Sequence, residues 1–325
     1  MTRISAVMIG ILLVLAALSN AYATSYSYVP LNYPDASQTV AQGINNAGTV
    51  VGGYANGTSE YSFSLTGGAG GTYTSLGGYP AAGVRYTEAN GINNAGTIIV
   101  GGYGPLADGT DRGFSLAGGT YTTLQYPGTS ENWVTGINNA GTIIVGWYID
   151  ASNDDHGYSL SNGVYTLLAG YPGASDTDAA GVNIAGTIVG YYEMSGAHYG
   201  FVLSNGIYTS LSAPGAVPGT KPGTRPEGIN DAGTIVGYYI DASGATHGFV
   251  LSNGAGGTYT TLNYPGAKLT EAQGINDAGM IVGVYENADG VQHGFLATPV
   301  PIPGALLLFG PGLVGLAALR RRFKE

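Results

Sequence analysis

The chain contains no cysteine in 325 residues. Disulfides, thiolate metal sites and thiol nucleophiles are therefore excluded, and a fold working outside the cell would rest on packing and backbone pairing alone. Charge is scarce as well. Only 9% of residues are charged, with ten basic residues against twenty acidic ones and a net charge of −10. That balance argues against nucleic acid as a partner. Five of the basic residues lie at the termini (Arg3, Arg320, Arg321, Arg322 and Lys324), leaving the interior strongly acidic. Chemistry-bearing motifs are missing too. There is no Gly-x-Ser-x-Gly elbow, Ser-x-x-Lys pair, phosphate loop, dinucleotide fingerprint or consensus calcium loop.

What the chain has in abundance is glycine (57) and tyrosine (25), and 44% of its residues are apolar. Glycine without a three-residue period excludes collagen, and the apolar content suffices for a packed core. Tyr, Val, Ile and Thr interspersed with Gly, Asn and Asp point to short strands joined by tight turns.

The motif Gly-Ile-Asn, once Gly-Val-Asn, recurs at Gly43, Gly91, Gly136, Gly181, Gly228 and Gly274. Each copy reads as four strands. The first ends in Gly-Ile-Asn, and Asn-Asn/Asp-Ala-Gly turns it into a second, Thr-Ile-Val-Gly-Tyr-Tyr. A variable loop leads to a third, as at His247–Leu251, and Ser-Asn-Gly turns that into a fourth, as at Tyr259–Tyr264. Pro265 and its equivalents stop the fourth strand, because proline cannot donate to a ladder. Copies two and three carry one extra residue, in Thr97–Val100 and Thr142–Val145, which predicts a β-bulge there.

Four strands in about 45 residues is the size of a propeller blade. The phase of the chain sharpens this. A lone fourth strand, Tyr28–Tyr33, comes first, and a third strand without a fourth, His293–Leu296, comes last. Pairing the two would complete the last copy and remove two open edges. The expectation is an all-β fold over residues 24–298, a six-bladed β-propeller closed by the N-terminal strand, with a separate C-terminal hydrophobic helix.

Both ends look like addresses. Met1–Ala23 has one early positive charge, an apolar run and the small residues Ala21 and Ala23, the layout of a signal peptide cleaved after Ala23. In the tail, residues 299–325, Ile302–Leu319 is apolar and long enough to cross a bilayer. Arg320, Arg321 and Arg322 follow it, on the cytoplasmic side by the positive-inside rule. Pro301 and Pro303 in Val-Pro-Ile-Pro, the apolar stretch and the arginines together resemble the PEP-CTERM sorting signal, with Ile302 where that family usually has Glu. The resemblance implies an inner-membrane-anchored precursor, processing by an exosortase-type enzyme, and a final place at the cell surface or outside a Gram-negative bacterium that makes exopolysaccharide. The repeats, over Tyr28–Leu296, resemble the HAF-type extracellular repeat, with its G-I-N-x-x-G-x-x-V-G signature. That resemblance implies export and carries no assigned chemistry.

Candidate site residues are few. His156, His198, His247 and His293 follow one repeat position, where copies one and two have Tyr61 and Arg112, so a structural role is expected. Asn45, Asn93, Asn138, Asn183, Asn230 and Asn276 are expected to form turns, and the tyrosines to pack in the core. Acids other than Asp231 and Asp277, and the interior basic residues, are assigned to positions in or beside the variable loops on one face. The longest of these loops is Ala213–Pro226, and both tryptophans, Trp133 and Trp147, are placed near the same face. Asp150, Asp154, Asp155, Asp241 and Asp289 are weak calcium candidates there.

The main expectation is therefore a non-catalytic, exported surface or matrix protein, with no catalytic residue and no cofactor, associated with extracellular polysaccharide. A protein-binding propeller is one alternative. A hydrolase or lyase on a propeller scaffold is another, and it requires polar residues unique to single copies to converge near the axis. The sequence by itself reveals no such convergence.

Overall fold

The structure, a computed structural model, describes residues 25–105, 109–217 and 223–300. The signal peptide, the sorting tail and their candidate residues Ala21, Ala23, Pro301, Pro303, Arg320, Arg321 and Arg322 lie outside the described residues. Tyr28–Thr298 forms one compact unit. It is all-β, and among the described residues no helix is long and apolar enough to cross a membrane.

Every copy is an antiparallel meander that follows the expected order of strands. The first strands are Gln38–Ile44, Tyr86–Ile92, Asn132–Ile137, Asp176–Val182, Thr224–Ile229 and Leu269–Ile275. Strand Ser25–Leu31 is hydrogen-bonded beside Gln292–Val300, the third strand of the last copy, as the phase of the repeats requires. Leu31 is wholly buried there, in a cluster with Phe63, Leu65 and Val282.

The sheets differ from the expected six separate units. There are three eight-stranded sheets. Each joins two consecutive copies through one parallel bridge from a third strand to the next first strand: Glu60↔Tyr86, His156↔Thr177 and Thr246↔Leu269. A single bridged residue pair is enough to merge two meanders into one ladder.

The expected bulge is also displaced. In copies two and three the extra residue lengthens the turn: Asn93 N–H donates to Ile98 O, where Asn45 N–H donates to Thr49 O. The register breaks elsewhere, and in all six copies, between the residues two before Gly and Gly itself. The unpaired residues are Gln42, Asn90, Thr135, Ala180, Glu227 and Gln273. A bulge bends its strand and re-aims the extra side chain.

Two glycines of each copy make this geometry possible. On Gly52, Gly101, Gly146, Gly190, Gly237 and Gly283 of the second strands, a Cβ would stand 1.9–2.1 Å from a first-strand carbonyl oxygen. On the glycine of Gly-Ile-Asn, a Cβ would press on the next copy: Gly43 on Asn90 O and Gly91, Gly136 on Gly181, Gly228 on Gly274, and Gly274 on Gly43. Any side chain at either position would force the inner strands apart.

Packing between copies is repetitive. Phe63, Phe114, Phe201, Phe249 and Phe295 fill the third-strand core position, with Tyr158 in copy three. Burying each contributes about 1.5–3 kcal/mol. Tyr158 needs a polar partner as well; its hydroxyl donates to Trp133 O (3.1 Å) and accepts from Asn132 Nδ2 (3.0 Å). The tyrosine before each loop proline stacks on a second-strand tyrosine of the next copy. Ring centroids are 3.7 Å apart for Tyr33–Tyr54, Tyr79–Tyr103, Tyr171–Tyr192 and Tyr264–Tyr285, and 4.2 Å apart for Tyr126–Tyr148. Copy four breaks the pattern with buried Ala213.

Gly190→Ala is expected to destabilise the fold by about 2–3 kcal/mol through overpacking, whereas Gly70→Ala, with open space around its Cβ and ordinary φ, should be nearly neutral. Thermal denaturation of the two variants checks this; equal midpoints would contradict the close-approach account. Leu31→Ala should cost about 2–5 kcal/mol, which a loosely attached N-terminal strand would not show.

Candidate functional site

The six Gly-Ile-Asn segments converge on one axial cavity. Their asparagines are buried and hold the turns, as expected, with Oδ1 accepting from Thr49, Thr97, Thr142, Thr187, Thr234 or Met280 N–H at 2.9–3.0 Å. They also link copies, a role the repeat pattern did not suggest. The Nδ2 of Asn45, Asn183, Asn230 and Asn276 donates to the backbone carbonyl of Asn93, Asn230, Asn276 and Asn45 respectively. In copies two and three, where the turn is longer, Nδ2 donates to the copy's own Thr97 or Thr142 hydroxyl.

The turn end of the axis is closed by the residues that follow these asparagines. Asn46 Nδ2 donates to Asp277 Oδ2 (2.6 Å), and Asn139 Nδ2 reaches across to both Asp231 Oδ2 (2.8 Å) and Asp277 Oδ2 (3.0 Å). Backbone N–H groups of Ile184, Asp231 and Asp277 donate to Asp231, Asp277 and Asn46 side chains, each at 2.9 Å. The axis therefore has a hydrogen-bonded floor.

Beyond the glycine level, toward the variable loops, the cavity widens to about 170 Å³. It is lined by the six bulged residues, Gln42, Asn90, Thr135, Ala180, Glu227 and Gln273, together with Glu88. These vary among copies, with Gln recurring at Gln42 and Gln273, whereas the residue four before each Gly is Thr in five copies and Asn132 in the third. The position three residues before each Gly varies too, with Val40, Glu88, Trp133, Asp178, Arg225 and Glu271. Trp133 stacks on Trp147 with centroids 4.3 Å apart.

Glu88, Asp178, Arg225, Glu227 and Glu271 belong to the first strands and not to the variable loops. Arg225 lies in the strand that ends the Ala213–Pro226 loop. Its guanidinium covers the Tyr191 ring at 3.7 Å, and Nε is 3.5 Å from Glu227 Oε1. Asp178 is buried at 2% exposure and hydrogen-bonds to Tyr191.

Recession from water dominates the protonation of this group. Burial pushes Glu227 up to about 7, with Arg225 pulling it down and Glu271 raising it further. Asp178 is also raised to about 7, first by burial; the Tyr191 hydrogen bond opposes this and Asp155 adds to it. Glu88 is raised by burial against the hydrogen bond from Gln42, and Glu271 by burial against the attraction of Arg225. Arg225 thus lies within electrostatic reach of Glu227, Asp178 and Glu271, three carboxyl groups raised by burial.

The residues singled out from sequence lie elsewhere. His156 and His247 face Asp150 and Asp241 at 3.0 Å, and His198 faces Glu193 at 3.3 Å. His293 meets Asn287 and Asn32. Each staples its own loop or a neighbouring strand. Of the calcium candidates, Asp150 and Asp241 accept N–H bonds within their own loops. Asp155 N–H donates to Asp176, and Asp289 N–H donates to Asn287. Asp154 shares the loop of Asp150. The five are spread over three loops, and among the described residues no group of three or more His, Cys, Asp or Glu is placed to hold a metal ion.

No known protein family matches the sequence, and no curated protein matches it. Solved structures do. A TolB-type protein from Agrobacterium tumefaciens has a TM-score of 0.53 at 14% identity, over 86% of this chain and 100% of that one. An oligogalacturonate lyase solved with manganese has a TM-score of 0.50 at 13% identity, over 86% and 94%. The β-propeller domain of the Trilobed protease from Pyrococcus furiosus has a TM-score of 0.47 at 8% identity, over 81% and 94%. At these identities the likeness is one of fold: all-β and propeller-like.

The expectation of a non-catalytic surface or matrix protein is thereby corrected. It rested on seeing no copy-specific polar residues near the axis, and Glu88, Glu227 and their neighbours line the axial cavity. The fold is moreover one that a solved lyase adopts.

Carboxyl groups raised in the folded state favour the fold below their unfolded values, and that contribution is lost as pH rises through about 7. The melting temperature should therefore fall between pH 5 and pH 8, and less steeply in Glu227→Gln and Asp178→Asn. A profile unchanged by both substitutions would show that these groups ionise freely.

Proposed function

We propose that the chain is a hydrolase on a six-bladed propeller ring, working at the blind axial pocket. The observation that carries this is the placement of two carboxyl groups from different copies and different repeat positions, Glu88 and Glu227, on one recessed cavity in an otherwise repetitive scaffold. Symmetric repeats give identical axial positions by default. Departure at these positions, and there above all, marks a site.

Hydrolysis of a glycosidic type needs one carboxyl group that is protonated near neutral pH and one that accepts a proton from water. Glu227, raised to about 7, is suited to protonate the leaving oxygen. Glu88 accepts from Gln42 Nε2 at 2.8 Å, a bond that favours its carboxylate form against burial, and that form is suited to take the proton from the attacking water. The bond to the leaving oxygen breaks as water adds, and the two protons balance. Elimination from a uronate is the less suitable chemistry. It requires the substrate carboxylate to be neutralised, and Arg225, the cation at hand, is already engaged by Glu227 and Tyr191.

The ring reading is supported by the glycine contacts that run from Gly43 round to Gly274 and back. The ends of the chain support an exported protein, with the tail processed at the membrane by an exosortase-type enzyme; polysaccharide outside the cell would then supply the substrate class.

Against a panel of aryl glycosides, Glu227→Gln is expected to lower kcat at least 100-fold while the melting temperature stays or rises. Wild-type activity in Glu227→Gln, or no hydrolysis by the native chain of any glycoside, would overturn the assignment.

A further inference from the structure

The face opposite the pocket mouth carries its own departure from symmetry. In each copy the turns after the first and third strands leave at one end of the meander, away from the variable loops. Three of these turn tips are apolar and exposed: Val164 (64%), Ile184 (57%) and Ile207 (69%). All three belong to the neighbouring third and fourth copies. Val164 and Ile207 open fourth strands, paired with Ser161 and Ser204. Thr72, Thr120 and Thr258 hold that position in copies one, two and five. Ile184 stands where the other copies have Asn46, Asn94, Asn139, Asp231 and Asp277. It joins the hydrogen-bonded floor through its backbone N–H, which donates to Asp231 Oδ1. The repeat itself does not call for apolar tips, since threonine and asparagine serve in other copies. Exposed apolar side chains gathered in one sector mark a contact surface.

The same face is nearly free of charge. Asp231 and Asp277 are the charged residues of these turns, and both are engaged by Asn139 and by backbone N–H groups. No lysine or arginine occurs in the turns. Such a face loses little on leaving water. The chain's net charge of −10 repels an anionic surface, so the fitting partner is neutral. Three tips on separate turns suit a deformable apolar medium better than a peptide that fills one groove. The last strand fixes what lies beside them. Ala297 pairs with Ile281, the residue after the turn at Asn276–Met280, so this strand reaches the same end of the ring at Thr298. The sequence then runs directly into the apolar stretch Ile302–Leu319. We propose that this face rests on a neutral lipid bilayer, with Val164, Ile184 and Ile207 entering the headgroup region, so that the axial pocket opens away from the membrane. Three side chains alone give weak, reversible attachment; beside a tether they hold an orientation. The proposal is independent of the chemistry in the axial pocket.

The lack of native cysteine allows a direct test. Ala185→Cys on this face and Ala151→Cys on a variable loop, both exposed positions, each carry a fluorescent label, with the full chain in phosphatidylcholine nanodiscs. Quenching by a nitroxide-bearing lipid reports contact with the bilayer, and quenching by iodide reports contact with water. The label at position 185 is expected to be quenched by lipid several-fold more than the label at position 151, and by iodide several-fold less. The triple variant Val164→Thr, Ile184→Asn, Ile207→Thr uses residues that other copies carry at these positions. It should keep the native melting temperature and bring the two labels level. Equal quenching of the two labels in the native sequence would overturn the proposal, as would a folded triple variant that keeps the difference, or a chain that stays off the nanodiscs. Shielding from iodide without quenching by lipid would also overturn it, placing a second copy or a folded-back segment on the face.

Discussion

The close approach of the six inner strands is the constraint from which the remaining architecture follows. Glycine at Gly43, Gly91, Gly136, Gly181, Gly228 and Gly274 lets neighbouring backbones come within van der Waals contact. Once they are that close, the second strand must carry glycine opposite the first-strand carbonyl, as at Gly190 against Asp178 O. The ladder then absorbs the crowding by leaving one residue unpaired. The bulged residue is the one turned toward the cavity. A purely steric requirement of the repeat thus creates six side-chain positions around an axis whose identity the scaffold does not dictate.

Those positions are where the repeat stops being symmetric. Elsewhere, copies keep their Phe, stacked Tyr and buried Asn, Tyr158 and Ala213 apart, because each answers the same packing problem. Around the axis the residues are Gln, Asn, Thr, Ala, Glu and Gln, with Glu88, Asp178, Arg225 and Glu271 close by. Carboxyl groups there are costly because water reaches them poorly. The cost is reduced by holding them partly protonated and by setting Arg225 between Tyr191 and Glu227. A group of this kind is better explained by chemistry than by stability, since apolar residues would pack the same space at less expense.

Much of the fold could be read from the sequence, because a period of 45–48 residues with fixed strand motifs is a long-range signal in itself. The phase of the chain even indicated that Tyr28–Tyr33 completes the last copy. The merging of copies into eight-stranded sheets was not legible, since it depends on single bridges such as His156↔Thr177. The bulge was sought at Thr97–Val100, where a residue is inserted, whereas it occurs one residue before Gly in all copies, where no insertion marks it. The site was hidden for the same reason. Glu88 and Glu227 are 139 positions apart in sequence and line one cavity only in the fold. The available clue was local: the residues one and three before Gly-Ile-Asn are polar or charged in most copies.

The central claim is that ligands enter the axial pocket, and a crystal structure of the Glu227→Gln chain soaked with an aryl glycoside tests it most directly. The account requires ligand density between Gln42, Glu88, Asn90, Gln273 and the substituted position 227, with the glycosidic oxygen nearest that position. Density on the outer loops around Asp150 or Asp241, with the axial pocket holding only water, would contradict it.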